Sequence, residues 1–251
     1  GGNEKMNYFI SGRYLSQDGI FNIYDDNYKN YSFRAKLNVN LTSRLRYSAN
    51  VNYNSTSYKY AGYYDEQQTI HSLQSNILSS FMPRNPDGSV VQYVNQLTAN
   101  SPLGAGHGGF LTANEARNSR DNKYWILSNQ LDFKVTEDLI LTASYAYKNR
   151  NRLNKRRSMP FDYSRQEGVF STFTSGTITD FYQEIHHDID DHNVNAYATY
   201  EHTWKNKHNF KAVAGTQFED YRTTELSVKK DDLLSKDLSS MSIATGESTV
   251  T

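Results

Sequence analysis

The chain has 251 residues, with 27 Lys and Arg against 27 Asp and Glu, so its formal net charge is zero. This balance argues against a nucleic-acid partner, and the absence of cysteine excludes disulfide scaffolds, thiol catalysis and cysteine metal sites. No stretch approaches the roughly 18 consecutive apolar residues of a membrane-spanning helix. Alternating strands of a membrane barrel are compatible with a hydrophobic content of 37%.

Apolar and polar residues alternate with a period of two wherever the sequence is regular, which is typical of β-strands with two different faces. The chain opens with one such strand around positions 8–14. From 31 to 41 the odd positions are apolar and the even ones polar, and the pattern resumes from 45 to 54. Because only Thr42-Ser43-Arg44 separates the two runs, they predict a hairpin with a tight turn.

Two further hairpins follow along the chain. The first joins a strand over 125–135 to one over 139–147, and the second joins 194–204 to 210–218. The sequence therefore predicts seven antiparallel strands of roughly 10 to 14 residues, which is long for a globular sheet.

The connections between these strands are asymmetric. Three-residue or four-residue turns lie at one end, and long segments near 19–30, 59–122, 151–191 and 222–251 lie at the other. Long outer loops, short turns and strands able to cross an apolar band of about 25 Å predict an all-β, up-and-down part of a large transmembrane β-barrel. Aromatic residues gather toward the long-loop ends of the strands: Tyr31, Phe33, Tyr53, Trp125, Tyr145 and Tyr147. They indicate an interfacial girdle, with ordinary enrichment of aromatic residues in strands as the alternative.

Several runs of sequence resemble the early barrel strands of SusC/RagA-type TonB-dependent outer-membrane transporters. They are Gly1-Gly2-Asn3-Glu4-Lys5, Asn7-Tyr8-Phe9-Ile10-Ser11-Gly12, Tyr31-Ser32-Phe33-Arg34 and the later run from His208 to Gly215. The resemblance implies a plugged barrel of about 22 strands in the outer membrane of a Gram-negative bacterium. It also implies uptake of bulky nutrients, glycans (oligosaccharides) or peptides, with energy delivered through TonB and a SusD-like surface lipoprotein as partner.

The resemblance spans most of the chain, and the long loops from about 60 to 122 and from 151 to 191 match least. Neither a plug nor a TonB-contacting segment matches within the sequence, and seven strands cannot close a barrel of that size. Residues 1–251 are therefore interpreted as part of one transmembrane β-barrel domain, with the plug domain and the remaining strands absent from this chain.

Two groups of residues are candidates for contact with a substrate. Arg34, Lys36, Arg46 and Asn50 occupy the polar positions of the first hairpin, so they are predicted to face the lumen. Four tyrosines crowd the start of the longest loop: Tyr58, Tyr60, Tyr63 and Tyr64. Of these, Tyr60, Tyr63 and Tyr64 are predicted to stack on sugar rings. Packing of loop against loop is the alternative for this second group.

A cluster of ligand-type side chains precedes the strand at 194. On a strand, alternate members share a face, so His186, Asp188, Asp190 and His192 are weak candidates for a cation site. Without a recognised spacing, we interpret them as a hydrated segment and predict neither a metal nor another cofactor.

A basic run lies at the top of a predicted strand: Lys148, Arg150, Arg152, Lys155, Arg156 and Arg157. Its predicted position favours contact with the phosphates of lipopolysaccharide and outer-membrane lipid over nucleic acid. A plain solvated loop remains the alternative.

The remaining motifs predict local structure. Asn85-Pro86-Asp87-Gly88 is typical of a β-turn, the spacing over 65–81 predicts a short amphipathic helix, and the glycines at 104, 106 and 109 are interpreted as loop glycines. No nucleophile, base and orienting group occur at a recognised spacing, so we predict no enzymatic activity. Two rival functions stay open: a secreted or surface-attached β-sandwich adhesin or glycan-binding protein, and an outer-membrane enzyme using a residue such as His186.

Overall fold

The computed structural model describes residues 1–20, 25–61, 82, 84–91, 117–173, 179–205 and 207–251. These residues contain ten strands and one 3-10 turn at Met241–Ile243. The strands are β1 (Met6–Asp18), β2 (Asn27–Asn40), β3 (Leu45–Ala61), β4 (Arg117–Lys134), β5 (Leu139–Ser158), β6 (Phe161–Gln166), β7 (Val169–Phe173), β8 (Phe181–Trp204), β9 (His208–Asp231) and β10 (Ser248–Val250). No helix in this part of the chain has the length and hydropathy to cross a membrane.

Eight strands form one antiparallel sheet in the order β1-β2-β3-β4-β5-β8-β9-β10. Neighbours in the chain are therefore neighbours in the sheet, and β6 and β7 pair with each other as a separate hairpin between β5 and β8. The predicted all-β, up-and-down antiparallel architecture is confirmed, and the sheet is open rather than closed on itself.

All seven predicted strands are present, but most are longer than predicted. The strands β3, β4, β5, β8 and β9 have 17, 18, 20, 24 and 24 residues. The interpretation of 151–191 as a loop was wrong, because β5 and β8 stay paired from Leu139 opposite Tyr200 to Ser158 opposite Phe181. In the upper part of the sheet both faces are polar, so the alternation that marks a strand in the sequence disappears while the backbone pairing continues.

The two faces of the sheet differ in chemistry. Cross-strand partners share a face, and one face of the half next to the short turns carries mainly apolar side chains. This apolar belt includes Val39, Val51, Leu127, Leu131, Phe133, Leu141, Val194 and Phe218. On this face Leu131, Phe133, Leu141 and Val194 are 43–44% exposed. Within the described residues the apolar face is therefore left open, whereas a water-soluble protein buries such a face.

Aromatic rings lie at both margins of the apolar belt. At the long-loop margin, the ring centroids of Tyr53 and Trp125 are 4.2 Å apart, and Tyr14 packs on Tyr31 at 4.8 Å. At the short-turn margin, Trp204 packs against Phe210 at 6.0 Å. Phe210 and Phe218 on β9 are eight positions apart, which is about 26 Å along the strand. For a strand tilted by about 40°, this length corresponds to a height of about 20 Å along the barrel axis. The belt therefore has about the height of the lipid-contacting band of a membrane barrel.

A small packed unit lies at the opposite end of the sheet from the short turns. This outer cap consists of β6, β7, residues 84–91 and the adjoining ends of β5 and β8, and its core includes Met159, Phe161, Tyr163 and Tyr182. Ser164 N donates to the carbonyl of Val90 at 2.7 Å, which ties residues 84–91 to β6. Burial, followed by the hydrogen bond to Glu184, raises the pKa of the Tyr182 hydroxyl, so this buried group stays neutral.

The predicted turn at 85–88 belongs to this outer cap and is confirmed. Gly88 N donates to the carbonyl of Asn85 at 2.9 Å, and Gly88 has a φ of 84°, a conformation that favours glycine. Hydrogen bonds from the hydroxyl and backbone of Ser89 lower the pKa of the Asp87 carboxyl. The carboxylate therefore stays charged and holds the turn.

Candidate functional site

The face opposite the apolar belt, called here the polar face, carries a network of hydrogen bonds between side chains. Arg34 Nε donates to Asn52 Oδ1 at 2.7 Å, and Thr142 Oγ1 donates to Asp132 Oδ1 at 2.9 Å. Asn54 also donates to Asn30 at 3.3 Å. These bonds cross from strand to strand, so they satisfy the polar groups of one wall without a hydrophobic core.

The four residues predicted to face a lumen share this polar face. Lys36 lies opposite Asn50, and Arg46 lies opposite Asn40 at the short-turn end. Arg34 lies two positions from Lys36 on the same strand and pairs with Asn52. The structure therefore brings all four together on one side of β2 and β3.

A group of tyrosines lies at the upper end of the polar face. The rings of Tyr58 and Tyr60 are stacked, with centroids 5.2 Å apart and planes 13° from parallel, and Tyr28 on β2 lies directly opposite Tyr58. Tyr60 thus belongs to β3 rather than to a loop, and Tyr63 and Tyr64 lie outside the described residues. The even positions from 46 to 60 all lie on the polar face. This continued alternation was the sequence signal that could have placed Tyr58 on this face.

The four ligand-type residues of β8 share a face but do not meet. They lie on the face of the apolar belt, from its aromatic margin upward. They occupy alternate positions of one strand, so His186 and His192 are about 20 Å apart. Asp190 accepts from Tyr147 at 2.7 Å, and His192 Nδ1 is 2.9 Å from the Tyr145 hydroxyl. Asp188 accepts from Asn151.

No group of three His, Cys, Asp or Glu side chains in the described part of the chain is arranged to hold a metal ion. The stretch 186–192 does not lead from a loop into a strand, because it is itself a fully paired part of β8.

The basic run is divided between the two faces of β5. Arg150 and Arg152 lie on the polar face, and Lys148 on the same face forms an ion pair with Asp191 at 2.8 Å. Lys155 belongs to the opposite face. Arg157 is completely buried in the outer cap, where its Nη1 lies 2.5 Å from Asp180 Oδ1.

A cleft of about 170 Å³ opens on the polar face between β4, β5, β8 and β9. It is lined by Tyr124, Lys148, Arg150, Ile189, Asp191 and Tyr221. The guanidinium carbon of Arg150 lies 5.5 Å from the centre of the Tyr124 ring. The cleft therefore combines aromatic rings with the positive charge of Arg150, beside the ion pair of Lys148 and Asp191.

Solved structures of a transporter share this fold. They include the RagAB peptide transporter (16% identity, TM-score 0.66), the RagAB peptide importer in the closed-closed state (16%, 0.67) and the same importer in the open-open state (17%, 0.65). Each comparison covers 100% of this chain and 27% of the matched chain, so the chain spans about a quarter of the length of those proteins. No family model and no curated protein matches the sequence.

Proposed function

We propose that this chain is a wall segment of a TonB-dependent, SusC/RagA-like importer in the outer membrane of a Gram-negative bacterium. One observation carries the proposal: a single up-and-down sheet has an uncovered apolar belt between two aromatic margins, and its other face is a hydrogen-bonded polar wall. The similarity in fold to RagAB transporter chains supports it. The cargo is a bulky nutrient, an oligosaccharide or a peptide.

Each part of the sheet has a role in this proposal. The apolar belt contacts outer-membrane lipid, and basic residues above it on the same face, such as Lys123 and Lys155, contact lipopolysaccharide phosphates. The polar face lines the lumen, with Arg34, Lys36 and Asn50 on its wall. A plug, a TonB-contacting segment and a SusD-like lipoprotein complete the working transporter, in which this chain has no catalytic task.

The β-sandwich adhesin is the less favoured function. A sandwich buries its apolar face against a second sheet, whereas in the described residues the apolar belt stays exposed and the second sheet is only the β6–β7 hairpin. An adhesin would be a soluble monomer, and an uncovered belt of this size favours aggregation in water.

Cysteine labelling tests the membrane orientation. In the complete protein, with any other cysteine replaced, Ser43→Cys in the β2–β3 turn and Glu167→Cys at the exposed tip of the β6–β7 hairpin are made separately. We expect a large polar thiol reagent to label Glu167→Cys but not Ser43→Cys on intact cells, and to label both after lysis. Labelling of both on intact cells would contradict the transporter and favour the adhesin.

The stacked tyrosines are expected to contribute to substrate affinity. Removing both rings with Tyr58→Ala and Tyr60→Ala takes away two stacking surfaces, each contributing about 0.5–1.5 kcal/mol. Affinity should therefore fall by a factor between about 5 and about 150. Calorimetry on the complete transporter measures the affinity. Maltoheptaose and a neutral oligopeptide are both tried on the unchanged protein, and the one that binds is used for the comparison. Tyr145→Ala on the opposite face is the matched control, and unchanged affinity in the double variant would remove the pair from the site.

A further inference from the structure

Two arginines and two aspartates of neighbouring strands lie on opposite faces in the upper part of the sheet. On β5, Arg150 and Arg152 occupy the polar face. On the neighbouring β8, Asp188 and Asp190 occupy the opposite face, where Asn151, Asn149 and Tyr147 donate hydrogen bonds to them. The alternation of side chains along β5 and β8 therefore places these two guanidinium groups on one face and these two carboxylates on the other.

Neutral partners hold these arginines in place. Arg152 Nε donates to Asn122 Oδ1 at 3.1 Å. Arg150 lies over the Tyr124 ring. An amide or an aromatic ring orients a guanidinium without cancelling its charge, and a side chain oriented in advance loses less entropy when it binds a ligand.

Two carboxylates near these arginines on the polar face have other partners. Asp191 pairs with Lys148 at 2.8 Å, and a Glu225 carboxylate oxygen is 3.6 Å from His187 Nδ1. Within the ranges that the structure describes, neither Arg150 nor Arg152 forms an ion pair with a carboxylate. Positive charge at the wall of a cleft concentrates the electric field there and attracts anions.

The spacing of the two arginines fits an extended chain. Arg150 and Arg152 are two positions apart on one strand, about 6.6 Å along its axis. An extended peptide repeats its side chains on one side at the same interval, so acidic residues at alternate positions can meet both arginines. Arg120 lies opposite Tyr58, which places the stacked tyrosines beside the arginine group.

We infer that Arg150 and Arg152 bind the carboxylates of an acidic oligopeptide in extended conformation as it passes along the polar face. The inference rests on the importer proposed above and specifies its substrate class. The guanidinium fork donates two parallel hydrogen bonds to a carboxylate, and the asparagine side chains around it both donate to and accept from a peptide backbone.

Binding to the complete, purified transporter tests the inference. The probe is an eight-residue peptide with glutamate at every second position, compared by calorimetry with the same peptide carrying glutamine. The double variant Arg150→Gln, Arg152→Gln should weaken binding of the glutamate peptide 10-fold to 100-fold, because each lost hydrogen bond to a charged group contributes about tenfold. The glutamine peptide should bind weakly and equally to both proteins.

The matched control is Lys123→Gln with Lys155→Gln, which removes the same charge from the opposite face and should leave affinity unchanged. Equal binding of the two peptides, or an equal loss in the control, would overturn the inference. Binding of an oligogalacturonate that depends on the arginines, without binding of the glutamate peptide, would also overturn it in favour of an acidic glycan. Because cysteine labelling reports membrane orientation independently, correct labelling with no preference for the glutamate peptide leaves the importer standing and removes only this inference.

Discussion

Replacing Leu131 by arginine is expected to destabilise the complete protein in a bilayer by about 2–4 kcal/mol. Leu131 is 43% exposed on the apolar belt, and its cross-strand partners are Tyr47 and Ala143. It lies near the middle of the belt, where a charged side chain on the lipid face of a barrel is most costly. Urea unfolding in lipid vesicles, followed by tryptophan fluorescence, measures the change in the free energy of unfolding.

The adjacent residue supplies the control for this substitution. Gln130 lies on the polar face opposite Ser48 and Ser144, and its amide donates to Asp132. Gln130→Arg adds the same charge beside a carboxylate that can accept from it, so a change of less than about 1 kcal/mol is expected. A loss for Gln130→Arg as large as that for Leu131→Arg would show that the assignment of the two faces is wrong.

Replacing Asp180 by alanine is expected to destabilise the outer cap by about 3 kcal/mol. Arg157 is 0% exposed, and its Nη1 donates to Asp180 Oδ1, to the carbonyl of Ser158 and to that of Phe181 at 3.1 Å. Removal of the carboxylate leaves a buried cation with carbonyl partners only, and breaking such a pair costs about 3–5 kcal/mol. Because Asp180 is itself partly exposed, the lower end of that range applies.

Limited proteolysis of the complete protein measures the effect on the cap. We expect faster cleavage between 159 and 180 in the Asp180→Ala variant, because local opening exposes the hairpin. Asp162→Ala is the matched control: Asp162 is exposed on the same hairpin and accepts only a surface hydrogen bond from Thr172 at 2.8 Å. Cleavage at the same rate in the Asp180→Ala and Asp162→Ala variants would contradict a structural role for the buried ion pair.

The lower half of the sheet could be predicted from the sequence because its two faces differ. Alternation of apolar and polar side chains indicates a strand and also indicates which face each residue occupies. Because a shift of one residue would exchange the faces, it restricts the register as well. The predicted lumen residues, such as Lys36 and Asn50, reach a common face for this reason. The tight turn at 42–44 marks the hairpin independently of its strands.

The upper half could not be predicted in the same way. Both faces are polar there, so β5 was expected to end near 147 although it continues to Ser158. The outer cap depends on contacts such as Ser164 with Val90, which are distant in the chain and leave no periodic signal. The basic run from Lys148 to Arg157 looks like one patch in the sequence, because its residues give no sign that β5 continues through them.

In the lower half of the sheet the sequence by itself determined which side chains share a face, because the alternation of a strand is a local property of consecutive residues. Only the tertiary structure decided which strands lie side by side and where their pairing stops. It placed Arg150 over Tyr124 and Arg157 against Asp180. These contacts join residues that are more than 20 positions apart in the chain, so they depend on how the strands are paired. Backbone hydrogen bonds carry the strands beyond the end of the hydrophobic pattern, and the residues proposed to meet the substrate lie in that extension.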